Sequence, residues 1–130
     1  MKKHLKHKLH LKTHIIRRGS DEIYVTDSLV NYWFTIINRA VFDNRLPRPT
    51  FIIVDTANFT SKYLGMCISD GEDSAIIKIS SLIKDRKTLI SIIAHEMVHL
   101  SQWIDNQDMG HGVDYIEWKK FFKKHYNLNL

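Results

Sequence analysis

The sequence predicts an α+β fold, with three helices and three short strands in one domain. Apolar residues recur at helical spacing in three stretches, and three strand-length apolar runs lie between the first and second of these. The length, 130 residues, suits a single domain with a sizeable core.

The first segment, residues 1–18, is an arm without a clean period. It carries Lys2, Lys3, Lys6, Lys8, Lys12, Arg17 and Arg18, four histidines (His4, His7, His10, His14) and no acid. Leu5, Leu9 and Leu11 define no single apolar face, so the arm reads as flexible or conditionally ordered. Two readings of its charge stand side by side: non-specific attraction to nucleic-acid phosphates, or a solvated tail such as a leftover His-rich leader. The remaining residues hold 12 basic and 14 acidic side chains, so the net charge of +5 belongs to the arm and the domain over 19–130 is nearly neutral.

Gly19 and Ser20 punctuate the chain. Thr26 or Asp27 is a suitable N-cap for a helix reaching about Phe42, with Leu29, Trp33, Ile36, Ile37, Ala40 and Val41 on its apolar face. The segment from Asp43 to Pro49 stops that helix, since proline lacks the donor and the geometry to continue it. Phe51–Val54, Leu64–Ser69 and Ala75–Ile79 read as strands, and the turn residues Asp70 to Asp73 make a hairpin of the last two. From about Asp85 to Asn106 a helix is apolar nearly all round and is expected to be buried. Gly110 and Gly112 flank His111, and a last helix spans about 113–126.

Composition sets bounds on function. The chain is 44% hydrophobic and 25% charged, ordinary for a globular domain. No apolar run approaches a membrane span, and the charged N-terminus lacks a signal peptide's apolar stretch, so a cytoplasmic setting is expected. The single cysteine, Cys67, forms no intrachain disulfide and excludes a multi-cysteine zinc ribbon within this chain. Cys67 reads as a strand residue facing the core rather than a switch ligand or a nucleophile. Trp103, Trp118 and Phe121 read as core rather than as an aromatic wall facing substrate.

The chemically informative motif is His95-Glu96-Met97-Val98-His99. Residues four apart on a helix lie on one face, ~6 Å apart along the axis, so both imidazoles can reach one Zn²⁺. Glu96 sits beside them, placed to accept a proton from the water that such an ion activates. Two histidines and a glutamate on so apolar a helix are costly to bury without a partner, and a metal supplies one. His111, between two glycines that let the chain turn back, is the third ligand; Glu117 and Asp114 are fallbacks. Three protein ligands leave a fourth position open, as catalysis requires. The metzincin spacing is not met, because Gln102 and Asp105 stand where that pattern has Gly and His.

Taken in order, these pieces resemble the SprT-like zinc metalloproteases, which include bacterial SprT and the eukaryotic Spartan proteases. Phe42-Asp43-Asn44-Arg45-Leu46-Pro47 resembles the family's N…F…LP segment, Leu64-Gly65-Met66-Cys67 its glycine-containing strand, and Ile77-Lys78-Ile79-Ser80 its I-x-L/I-S strand. The metal motif, His111-Gly112, Tyr115 and Trp118 follow. The resemblance runs from about Leu29 to Phe122. It implies a minimal zincin-like α+β domain: a small mixed sheet beside the metal-bearing helix, with a helix on each side. It implies one catalytic zinc on His95, His99 and His111, Glu96 as base, and a protein or peptide substrate, for Spartan-type members one bound to DNA. Many relatives carry a zinc ribbon or DNA-binding appendage, and the resemblance here is to the metal-bearing domain alone. Two rivals remain: an inactive zinc-containing module that binds nucleic acid or protein, and a zinc amidase acting on another amide.

Overall fold

The computed structural model describes residues 4–55, 64–69 and 74–130. It contains, in chain order, α1 (Leu5–Arg18), α2 (Asp27–Val41), β1 (Thr50–Val54), β2 (Gly65–Ser69), β3 (Ala75–Ser80), α3 (Arg86–Ile104) and α4 (Val113–Tyr126). The architecture is α+β. The sheet is mixed, in the order β1-β3-β2, with β1 parallel and β2 antiparallel to β3. Cys67 opposes Ile77 across the antiparallel pair, so the expected hairpin partners are in register. The expected turn over 70–73 lies outside the described residues, as do Lys2 and Lys3 of the arm.

The arm departs from expectation. Residues 5–18 form helix α1 rather than a flexible segment, giving four helices instead of three. Two residues one turn apart, Leu11 and Ile15, are buried, and α1 packs against α2, α3 and α4. Leu5, Leu9 and Ile16 remain exposed, which is why the leucines give no clean stripe. The face turned toward α2 is made of histidine. His10 stacks on Trp33 at 5.9 Å and its Nε2 meets Tyr32 Oη at 2.6 Å, while His14 lies edge-on to Trp33 at 5.3 Å. Imidazole provides the flat, partly apolar surface that aliphatic residues usually supply at a helix interface.

Thr26 caps α2 by accepting from Leu29 N at 3.1 Å, and Asp85 caps α3 by accepting from Thr88 N at 2.9 Å. Helix α2 ends six residues before Pro47, at Asp43 and Asn44, whose φ of 56° and 60° are left-handed. The stop is thus made by the residue types that tolerate that region, and proline acts only farther on. The buried Asn38 secures the reversal: its amide donates to Leu46 O at 3.0 Å and its carbonyl accepts from Leu46 N at 3.2 Å.

Helix α3 runs through the core. Leu89, Ile90, Ile93, Ala94, Met97, Val98 and Leu100 have no exposed surface, as its all-round apolar pattern predicts. They meet Ile77 and Ile79 of the central strand and Trp33, Phe34 and Ile37 of α2 in one cluster. Trp103, Trp118 and Phe121 are half-buried and packed against that cluster. Among the described residues, no helix is long and apolar enough to cross a membrane.

Candidate metal centre

The site sits where α3, β2 and the turn into α4 meet. Helical spacing stacks His95 and His99 on one face of α3, and their Nε2 atoms come within 3.2 Å of each other. The turn after α3 reverses at Asn106, where φ is 56°, and returns His111 so that its Nε2 lies 3.5 Å from that of His95. The ligand atoms of all three histidines lie within 4.8 Å of one another. His99 is buried, His95 half-buried and His111 exposed, so the cluster opens to solvent on one side. They share a cavity of about 210 Å³ with Glu96, Gly65, Cys67 and Met109.

The other ring nitrogens are occupied. His99 Nδ1 meets Gln102 Oε1 at 2.8 Å, and His95 Nδ1 meets Tyr115 Oη at 3.1 Å. Gln102 Oε1 only accepts, so His99 is protonated on Nδ1 and its Nε2 lone pair faces Nε2 of His95, 3.2 Å away. Tyr115 Oη can donate to or accept from His95 Nδ1; where it accepts, both Nε2 lone pairs face one another and a cation between them removes their repulsion. Nitrogens around a tetrahedral ion at 2.0–2.1 Å are ~3.3 Å apart, close to the separations seen here. The three histidines therefore fit a metal ion, and an all-imidazole set with an exposed side suits zinc with an open position.

Electrostatics favour the ligand form. Burial, followed by the neighbouring His99, His111 and Lys119, lowers the His95 pKa to about 4. Burial also lowers that of His99. Both rings are thus neutral near pH 7. Glu96 is 4% exposed, and burial pushes its carboxyl up to about 8. A dication beside it would act in the opposite sense, favouring the carboxylate.

All four residues singled out from the sequence come together. Of the fallback ligands, Asp114 accepts from Gln102 Nε2 at 2.7 Å and Glu117 is exposed on α4; neither joins the histidine cluster. Cys67 is half-buried on β2 in the wall of the cavity. Burial and the charge of Glu96 push its thiol up to about 12, so it stays protonated near neutral pH. Sequence reasoning passed over Gln102 and assigned no role to Tyr115. Spacing could have flagged Gln102, three residues after His99 on the same helix; Tyr115 reaches His95 from α4, and no local spacing marks it.

A model of the SprT-like family matches residues 30–130, most of the chain, from within α2 to the end of α4 and beyond. The chain belongs to the SprT-like family. That family is generally one of metalloproteases, and the SprT-like fold is consistent with a zincin-like one. Helix α1 lies outside the matched residues of this SprT-like chain. A search of curated proteins gave no match.

Proposed function

We propose that this SprT-like chain is a zinc-dependent endopeptidase. The observation that carries the reading is the convergence of three imidazole nitrogens beside a buried carboxylate in one cavity. His95, His99 and His111 hold the ion. When bound, zinc supplies a Lewis acid that polarises the scissile carbonyl and lowers the pKa of water. Glu96, next to the ligands on α3, takes a proton on its carboxylate and returns it to the leaving amine. Its carboxyl is buried, with the backbone of Gly65 close beside it, and burial raises its affinity for that proton. A peptide lies in the cleft along α3, with β2 at its side.

The deciding experiment pairs hydrolysis of an unfolded test protein with zinc content. Wild type should carry one zinc per chain and cleave. Glu96→Gln should keep the metal and lose cleavage, and unchanged cleavage would sink the mechanism.

One observation favours a second reading, of a module that contacts nucleic acid, as a binding protein in its own right or to bring DNA-associated proteins to the site. Lys6, Lys8, Lys12, Arg17 and Arg18 are all exposed on α1, which has no acid, and Lys8 and Lys12 border a groove with His125 of α4. DNA binding that falls steeply with salt and is lost in Lys8→Glu/Lys12→Glu would support it. If that binding ignores Glu96→Gln and no cleavage is found, the chain is a binding module. Cleavage of a non-peptide amide in place of protein would favour the amidase reading.

A further inference from the structure

Gln102 is fully buried, and each of its polar atoms faces the metal centre or the turn that completes it. Its Nε2 lies 3.2 Å from Gly110 O and 2.7 Å from Asp114 Oδ2. A carbonyl and a carboxylate only accept, so the atom facing them is the amide nitrogen and the atom facing His99 is the amide oxygen. That oxygen in turn only accepts, so His99 carries its proton on Nδ1 and presents a bare lone pair at Nε2. Neutral imidazole in water favours the opposite tautomer, which cannot bind an ion through Nε2.

The same side chain spans the break between α3 and α4. Its backbone carbonyl accepts from Gln107 N at 2.8 Å, and its amide reaches Gly110, the neighbour of His111, and Asp114 in the first turn of α4. His111 itself is exposed, and its ring meets those of His95, His99 and Tyr115.

We propose that Gln102 is a positioning residue of the metal site: it holds His99 in the Nδ1–H tautomer and pins the turn that delivers His111. One side chain thereby couples the buried ligand to the exposed one. The proposal rests on the reading of the three histidines as metal ligands.

The test uses the full chain as wild type, Gln102→Leu and Gln102→Glu. Leucine keeps the buried volume and leaves Asp114, which is only half-buried, to be solvated. Long-range ¹H–¹⁵N NMR of metal-free protein at pH 8 reads the His99 tautomer, and competition with a chromophoric chelator reads zinc affinity. Wild type should show Nδ1–H. Gln102→Leu should shift toward Nε2–H and bind zinc roughly 10–100-fold more weakly, the usual effect of losing a partner behind a ligand. Gln102→Glu retains an acceptor for His99 but no donor for Gly110. It should keep the Nδ1–H tautomer and still bind zinc more weakly than wild type, and it decides the matter if the leucine variant does not fold. An Nε2–H tautomer in wild type, or zinc affinity within about twofold of wild type in the folded variants, would overturn the proposal. Wild type that takes up no zinc, with the tautomer still shifting in Gln102→Leu, would sink the metalloprotease reading and leave the orientation of His99 by Gln102 standing.

Discussion

The backbone of Gly65 lies so close to Glu96 that a methyl group at position 65 would sit 3.0 Å from Glu96 Oε2 and 2.7 Å from Ile92 Cγ2. Glycine at this point of β2 lets the strand press against α3. Gly65→Ala must push the strand away or displace the carboxylate. The expected outcome is a loss of about 1–3 kcal/mol in chemical denaturation. Hydrolysis should fall at least tenfold while zinc content is unchanged, since the three histidines are untouched; full activity in the alanine variant would contradict the close packing.

Glu96 should also reveal itself through stability. In metal-free protein its folded pKa is raised to about 8 from an ordinary 4.5. The folded state therefore keeps a proton that the unfolded chain releases, and stability falls as pH rises from about 4.5 to 8. Glu96→Gln removes that penalty. Metal-free Glu96→Gln should be more stable than metal-free wild type at pH 7 by on the order of 2–3 kcal/mol, and nearly equal to it at pH 4. Urea denaturation at the two pH values measures both.

Zinc should stabilise the folded chain, because the unfolded chain has no preformed cluster of three imidazoles. Adding zinc at about 100 times its dissociation constant should contribute ~2.7 kcal/mol, and a chelator should remove it. His111→Ala should abolish most of the shift without lowering the stability of the metal-free protein, since His111 is exposed. Calorimetry with and without metal separates the two effects.

Helix α1 is part of the fold, so Leu11→Ala should cost about 2–5 kcal/mol and deletion of residues 1–18 should cost more. The histidine face should make its docking sensitive to acid. Burial and the charges of His10, Arg86 and Arg18 lower the His14 pKa, with Asp21 opposing; burial and Arg39 lower that of His7. These groups contribute stability that is present above their ordinary value of 6.5 and is lost as pH falls from there through their lowered values. Denaturation midpoints followed by tryptophan fluorescence should drop between pH 7.5 and 5, and drop less in His14→Phe.

Asn38→Ala should leave the N–H and C=O of the buried Leu46 without their partners. The expected cost is about 1–3 kcal/mol, since each unsatisfied buried group carries its own desolvation penalty. Thermal denaturation at pH 7 checks it.

Much of the fold was legible because its signals are local. The periodicity of Trp33, Ile36, Ile37 and Ala40 gives α2, and the all-round apolar run gives α3 and its burial. The hairpin partners follow from two short apolar runs around a turn cluster. The parallel pairing of β1 with β3 leaves no such mark, since it depends on a crossover; the family resemblance implied only that the sheet is mixed. Helix α1 was missed because it docks through two aliphatic residues and a row of histidines, and periodicity is sought among aliphatic ones. Its lysines drew attention to charge, while its packing depended on imidazoles that a sequence reading assigns to the polar face.

The sequence by itself determined which residues can make the site. His95 and His99 share a face because a helix repeats every 3.6 residues, and Glu96 must then stand beside them. Their chemistry, and the need of an apolar helix for a partner to such groups, follow from composition alone. Only the tertiary structure decided how the set closes. It brought His111 back within 3.5 Å of His95, put Gly65 against Glu96, and set Gln102 and Tyr115 behind the two helical ligands. All but the His99–Gln102 contact, which lies within one turn of α3, join residues on different elements, and local spacing does not fix those. They arise from burying β2 and α4 against α3, which also shifts the pKa values that put the imidazoles in their ligand form.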